Sequence, residues 1–418
     1  MQGRMRKRNE GTTYRGCMSQ VPLSSLRPFL SVGLSSLLVG SLVLSGCTSS
    51  PPPKAVKKPT VASTSSTPVV VKPKPVLFKA NGTPADLASV VRSVYFGGAV
   101  RSTPLARKAL RERKGAKRAP GPVVVSGSVA SWQGVPIAVV TKGRDVTLAV
   151  KAPRWTVVGG WWPSMGVTKP ALGGARRILM VGSDARPGQS VNKSRADSLH
   201  IVGVDGHGGG GVLGIPRDSY VSLASGGKGK INSALTFGGP QGLQRTVASA
   251  TGVPLQGYVI TGFDGFKKAI NGIGGLPMNV PVTVVGAGAS VVIKKGPNKL
   301  TGRAALAYGR QRHSVAGGDF GRSSNQGLLI MAAGAFAKLV GPARLPGILH
   351  AAAPNVTTNL TAEQVLTFAA GVYVTSLRKV HNRVATGGFG MTSDGQSIVQ
   401  LDAGARLLFA DIRDGNLK

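Results

Sequence analysis

The chain has 418 residues, with 52 Lys or Arg against 15 Asp or Glu, a formal net charge of +37 and a 42% hydrophobic content. That length and apolar share support two or three domains with real cores, and the charge calls for a polyanionic partner: nucleic acid, an anionic membrane or a phosphate-rich substrate. An acidic, calcium-rich surface is excluded, and two cysteines, Cys17 and Cys47, exclude a disulfide framework or a Cys-based zinc module.

The charge is unevenly placed. Residues 1–170 hold 26 basic and 4 acidic residues, and residues 171–418 hold 26 basic and 11 acidic. At the start, Arg4, Arg6, Lys7, Arg8, Arg15 and Arg27 precede an apolar run from Phe29 to Leu44, which ends in Leu44-Ser45-Gly46-Cys47. A basic region, a short apolar core and terminal small residues predict an export signal over 1–46. The last four residues are similar to the lipobox of bacterial lipoproteins, which makes Cys47 the lipidated residue. The alternative is an uncleaved membrane anchor with its basic side in the cytoplasm. Both readings put the rest of the chain outside the cytoplasmic membrane. Residues 47–75 are rich in Pro, Lys, Ser and Thr and read as an extended tether.

Residues 76–170 predict a small, mostly β accessory domain of unknown role. A helix is expected over 84–95, with Leu87, Val90, Val91 and Val94 at helical spacing. The basic run Arg107, Lys108, Arg111, Arg113, Lys114, Lys117 and Arg118 reads as a solvated, mobile face, with an anionic-polymer or headgroup patch as the functional alternative. Short strands follow at 123–125, 137–141 and 146–150 between glycine turns. Trp155, Trp161 and Trp162 fit a small β-core or a domain junction more simply than a membrane interface.

Residues 171–418 carry the chemistry. Strand patterns at 176–181, 198–204 and 212–215 alternate with helix patterns at 240–250, 263–273, 301–308, 322–339 and 361–377, with further strands near 258–261 and 278–284. This predicts an α/β/α layered fold, a central sheet flanked by helices, with its site at strand ends and loops. The Gly206–Gly211 run lacks a following Gly-Lys-Ser/Thr and reads as a hairpin turn, not a phosphate loop. Asp184 and Asp197 bracket a loop bearing Arg186 and Arg195, Arg217-Asp218 ends a strand, and Lys230, Arg310, Arg312, Asp319, Arg322 and Gln326 follow. Converging guanidiniums and one ammonium fit a pyrophosphate, since Arg grips phosphate oxygens as a fork and Lys adds a point charge. Two Asp beside such a group suit Mg²⁺, which takes a few carboxylates plus phosphate.

In order, Gly-Ser-Asp-Ala-Arg at 182–186, Arg-Ala-Asp at 195–197, Ile-Pro-Arg-Asp-Ser-Tyr at 215–220, Lys-Ile-Asn at 230–232, Gly-Gly-Leu at 274–276, Ala-Leu-Ala-Tyr-Gly-Arg-Gln-Arg-His at 305–313 and Gly-Asp-Phe-Gly-Arg at 318–322 resemble the LytR-CpsA-Psr family over about 175–340. The resemblance implies an α/β domain that binds a polyprenyl-pyrophosphate-linked glycan and transfers it to peptidoglycan, releasing polyprenyl phosphate, with a pyrophosphatase side activity. It implies Mg²⁺ at Asp184 and Asp197, and pyrophosphate-gripping arginines at Arg217, Arg310 and Arg312. Arg195, Lys230, Asp319, Arg322 and Gln326 complete the headgroup shell. Many members carry a second Arg before the Gln, where this chain has Asn325. Arg217 is the expected transition-state contact. Asp218 or Asp197 orients a proton acceptor, though the sequence identifies no base. The expected location is the extracytoplasmic face of the membrane. Apolar stripes at 328–339 and 365–374 fit either a tunnel for the lipid chain or ordinary core packing.

Other chemistries fit less well. Ser225-Gly-Gly-Lys228 matches Ser-x-x-Lys but lacks the partner motifs. The five His have no metal-ligand spacing. An export signal and few aromatic residues argue against nucleic acid. A non-catalytic lipoprotein that binds anionic wall polymer or lipid-linked glycan is the alternative from a different class.

Overall fold

The computed structural model describes residues 77–113, 122–286, 290–312 and 317–418. The expected signal, the tether and Cys47 lie outside the described residues, as do Lys114, Lys117, Arg118 and His313.

The first part comprises β1 (Phe78–Asn81), α1 (Ala85–Phe96), α2 (Pro104–Arg111), β2 (Val123–Trp132), β3 (Val135–Lys142), β4 (Asp145–Lys151) and β5 (Trp155–Trp161). The five strands form one sheet in sequence order. The turn between β2 and β3 is Gln133-Gly134, both at positive φ (47° and 85°), the backbone that a tight two-residue hairpin needs. Arg107, Lys108 and Arg111 of the basic run stand on a solvated face, as expected, but it is the exposed face of α2, with Ala106 and Leu110 buried under it, and Arg113 donates to the Val94 carbonyl at 2.9 Å. Apolar positions three to four apart were enough to order that stretch as an amphipathic helix.

The second part opens with β6 (Arg176–Ser183), β7 (Ala196–Val204), β8 (Gly210–Gly214), β9 (Tyr220–Ser222), β10 (Lys228–Lys230), α3 (Ala234–Thr251) and β11 (Gly257–Thr261). Next come α4 (Phe263–Gly272), β12 (Leu276–Val280), β13 (Val284–Val285), β14 (Val292–Ile293), β15 (Gly296–Leu300), α5 (Gly302–Arg310), α6 (Asp319–Val340) and α7 (Leu345–Ala352). It closes with β16 (Thr357–Thr358), α8 (Ala362–Val374), β17 (Val380–Val384), β18 (Gly387–Met391), β19 (Ser397–Leu401) and α9 (Ala403–Asp411). Local chemistry sets several starts: Thr301 caps α5, Thr361 and Gln364 form a capping box on α8, and Asp402 caps α9. In α3 the helix breaks at Gly239 (φ 62°) and restarts at Pro240, the residue at which the sequence pattern begins.

The central sheet has the order β16-β11-β6-β7-β8-β17. β11, β6, β8 and β17 run in one direction, while β7 and β16 run in the other. The glycine run between β7 and β8 is the hairpin connection, as expected. α3 and α9 cover one face through a core that includes Leu179, Leu199, Ile201, Leu213, Leu243 and Phe409. α6 lies against β7, β8 and β17 on the other face.

The accessory sheet is buried on both faces. On β3, Ala138 and Val140 enter the core with α1 and α2, and their alternate neighbours Ile137 and Val139 enter a core with Leu345 and Leu349 of α7 and Leu366 and Ala370 of α8. The two-residue strand period produces this division. The second core also takes in Ile178 of β6, so α7 and α8 pack between the two sheets. The layers therefore run α1/α2, accessory sheet, α7/α8, central sheet, α3/α9, and residues 77–418 form one compact unit. The tryptophans belong to this core: Trp132, Trp155 and Trp162 are at most 4% exposed, and Trp162 Nε1 donates to Thr147 Oγ1 at 2.9 Å. On α6, positions 330–338 are half-buried beside α8. Among the described residues no single helix is long and apolar enough to cross a membrane.

Candidate active site

β6, β8, β11 and β17 all present their carboxyl ends at one edge of the central sheet, where the antiparallel β7 begins. Such an edge is where open α/β sheets hold ligands. Asp184, Asp197, Arg217 and Asp218 are found there because each follows or begins one of these strands, and the β9–β10 hairpin, α5 and α6 carry the others.

Asp197 occupies a β-bulge. Gly182 pairs with Ser198 and the next residue, Ser183, pairs with Ala196, so Asp197 is the extra residue of β7. A bulge turns a side chain out of the normal alternation, which frees Asp197 from the sheet face. Asp184 lies just past the end of β6. Its backbone N–H donates to the Arg195 carbonyl at 3.0 Å and its Oδ1 accepts from the Arg195 N–H at 2.9 Å, closing the loop between them. The Arg195 side chain is exposed.

After β8, a turn closed by Ser219 N–H to Pro216 O at 3.0 Å carries Arg217 and Asp218 at its centre. The β9–β10 hairpin brings Lys230 back beside it, and the Asn232 N–H donates to the Arg217 carbonyl at 3.1 Å. Arg217 Nη1 donates to both Asp197 oxygens at 2.8 and 2.9 Å, and its Nε lies 3.2 Å from Asp319 Oδ2 and 3.5 Å from Asp218 Oδ2. Lys230 Nζ is 3.3 Å from Asp218 Oδ1. Asp319, in the first turn of α6, also receives Arg312 Nε at 3.0 Å and Arg322 Nη2 at 3.1 Å. The structure thus gathers Asp197, Arg217, Asp218, Lys230, Arg312, Asp319 and Arg322 into one network.

Partial burial strengthens these contacts relative to surface pairs, because water screens them less. Burial works against the charge on Arg217, yet Asp197, Asp319 and Asp218 together hold its pKa above the usual arginine value. Arg322 shows the opposite balance. Its side chain is only 8% exposed, and burial, aided by the nearby Arg217 charge, pushes it down to about 10. It still carries a proton at neutral pH.

Four expected members stand outside the ion-pair network: Asp184 and Arg195, which bond to each other, and Arg310 and Gln326. Arg310, at the end of α5, lies over the Phe263 ring, 4.8 Å from its centroid. The Gln326 amide donates to the Gly309 carbonyl at 2.9 Å, so it ties α6 to the last turn of α5 just before Arg310. Asn325, at the position of the family's second Arg, is buried, and its Nδ2 has no hydrogen-bond partner among the described residues. Sequence reasoning passed over Phe263, an apolar first residue of a helix, although Arg186 also lies 5.8 Å from its centroid. Among the described residues no three His, Cys, Asp or Glu are grouped as a metal cage.

Residues 164–406 match the model of the LytR_cpsA_psr family, more than half of the chain, and the protein belongs to that family. It is similar to the Bacillus subtilis polyisoprenyl-teichoic acid–peptidoglycan teichoic acid transferase TagV, at 36% identity over 195 residues, covering 44% of this chain and 49% of that one. It is also similar to the transferase TagU of Bacillus mycoides, at 33% identity over 194 residues, covering 45% and 61%. The chain thus spans about half the length of the curated relatives it matches. A crystal structure of a Streptococcus agalactiae protein superposes with a TM-score of 0.50 at 22% identity, covering 56% of this chain and 84% of that one, a likeness of fold.

Proposed function

We propose that this protein is a phosphotransferase that moves a glycopolymer from a polyprenyl-pyrophosphate carrier onto peptidoglycan. The observation that carries this reading is the array of Arg217, Lys230, Arg312 and Arg322 at the carboxyl edge of the sheet, fixed in place by Asp197, Asp218 and Asp319. Prearranged cations lower the barrier to phosphoryl transfer because they stabilise developing charge without reorganising. The names of the TagV and TagU relatives support the substrate class.

In this reading a sugar hydroxyl of peptidoglycan attacks the phosphorus nearer the glycan. A new sugar O–P bond forms, the bridging P–O bond breaks, and polyprenyl phosphate leaves with the electron pair. Arg217 contacts the phosphoryl oxygens in the transition state. Asp218 takes the hydroxyl proton: Asp319 is shared by three guanidiniums, whereas Asp218 carries only the longer contacts at 3.3 and 3.5 Å.

Asp184 and Asp197 supply hard carboxylate oxygens in the small number that Mg²⁺ takes from protein when phosphate completes its shell, so this donor set fits that ion. Bound there, Mg²⁺ would neutralise phosphate charge. Water in place of the sugar hydroxyl would give the pyrophosphatase side activity. The site then faces the outside of the cytoplasmic membrane, with Cys47 as the lipid anchor.

The test is transfer of a radiolabelled lipid-linked glycan to peptidoglycan by the full-length protein. We expect transfer that Arg217→Ala abolishes. Tight binding of the lipid-linked glycan with no transfer by the wild type would favour the non-catalytic binding protein.

A further inference from the structure

Apart from the exposed Arg195, the cations at the site fall into two groups. Arg217, Lys230, Arg312 and Arg322 are each within ion-pair distance of Asp197, Asp218 or Asp319, four cations against three carboxylates. Most of that positive charge is therefore matched before any ligand arrives. Arg186 and Arg310 are different. Both are exposed, and among the described residues no carboxylate lies within ion-pair distance of either. What they share is the Phe263 ring, 5.8 Å from the Arg186 guanidinium and 4.8 Å from that of Arg310.

The fold explains why these three meet. β6 and β11 are parallel neighbours with Gly182 opposite Thr261, so the chains leaving them, towards Arg186 and Phe263, emerge side by side. α5 packs on α4 closely enough that a Cβ at Gly302 would sit 2.2 Å from the Lys267 carbonyl oxygen. That contact brings Arg310 to the start of α4. The backbone carbonyl of Gly309, bonded to Gln326, fixes the last turn from the other side.

An aromatic face attracts a guanidinium through its quadrupole but carries no net charge. A carboxylate holds an arginine in place and cancels it; a ring holds it and leaves its charge whole. We propose that Phe263 is a positioning residue for the pyrophosphate, holding Arg186 and Arg310 in place with their charge intact to supply the excess positive potential that draws in the diphosphate. This rests on the pyrophosphate reading of the site given above.

The experiment is calorimetric binding of a short-chain prenyl diphosphate, and separately of the matching prenyl monophosphate, to the full-length protein. Phe263→Leu, which keeps apolar bulk, is expected to weaken diphosphate binding about tenfold, with a smaller loss for the monophosphate and a nearly unchanged Tm. Phe263→Tyr is expected to restore it. In an Arg186→Met, Arg310→Met background, Phe263→Leu should cost no further affinity. Equal affinity of wild type and Phe263→Leu, equal losses for the two ligands, or failure of Phe263→Tyr to rescue would each overturn the proposal while leaving the pyrophosphate site standing. If the wild type binds neither ligand, it is the reading of the site that fails.

Discussion

Arg217 and Asp319 lie 102 positions apart in sequence, yet their side chains meet at 3.2 Å, and the Asp319 oxygen that Arg217 reaches is also the one that Arg322 reaches at 3.1 Å. One carboxylate at the start of α6 therefore sets the spacing of three guanidiniums, counting Arg312 on its other oxygen.

Asp319→Asn should accordingly damage function more than fold. The amide retains one acceptor oxygen but loses the charge that makes these bonds strong. We expect transfer to fall by about 10²–10³-fold, the loss seen when one prearranged electrostatic contact is removed. Steady-state transfer rates with Tm measured alongside check this. A Tm drop large enough to unfold the protein at the assay temperature would overturn it.

His200, wholly buried in β7, donates from Nε2 to the Ser323 carbonyl at 2.9 Å and lies 3.2 Å through Nδ1 from Ser198 Oγ. Burial pushes its pKa down to about 4 from 6.5. In the unfolded chain the ring takes up a proton near pH 6.5, whereas in the folded protein it does so only near pH 4. The unfolded state thus binds more protons in that window, and stability falls as pH drops through it, by roughly 3 kcal/mol. Urea midpoints from pH 7.5 to 4.5 should show the decline, and His200→Gln should flatten it.

Lys338 of α6 donates from Nζ to the carbonyls of Val372, Tyr373 and Thr375 at 3.4, 3.0 and 2.5 Å. It caps the carboxyl end of α8, where unpaired carbonyls and the helix dipole favour a cation. Lys338→Met should leave those carbonyls without their donor and lower stability by about 1–3 kcal/mol. Thermal unfolding measures this, and rescue by Arg, but not by Gln, would identify the charge as the source.

Deleting residues 77–171 should not yield a soluble catalytic fragment. The cut would strip cover from Leu345, Leu349, Leu366 and Ala370, which share a core with Ile137, Val139 and Leu148. Exposed apolar area of that kind promotes aggregation. Recovery of a monomeric, fully active fragment by size-exclusion chromatography would overturn this.

Parts of this were legible in the sequence. Val146–Val150 reads as a short strand, and it lies within β4. The helix pattern at 361–377 begins where α8 does. Arg217, Lys230, Arg312, Asp319 and Arg322 were identifiable as a set by residue type and motif. The distant partners of Arg217 were not, because pairing across 20 and 102 positions is decided by which strand ends share an edge. The Asp197 bulge was hidden for the same reason: it is a mismatch between two strands and belongs to neither alone. Phe263 looks like any apolar residue opening an amphipathic helix. α7 is only eight residues long and has Pro346 in its first turn, too weak a pattern to show that it supports two sheets.

The α7/α8 layer limits which parts of this protein can act as hinges. A shift of these helices to open the carboxyl edge of the sheet would have to shear apolar contacts with the accessory sheet and with β6 at the same time. Close-packed layers resist such sliding. Any movement at that edge is therefore left to the segments that follow its strands, the Asp184–Arg195 loop after β6 and the β18–β19 hairpin after β17, over a stationary base.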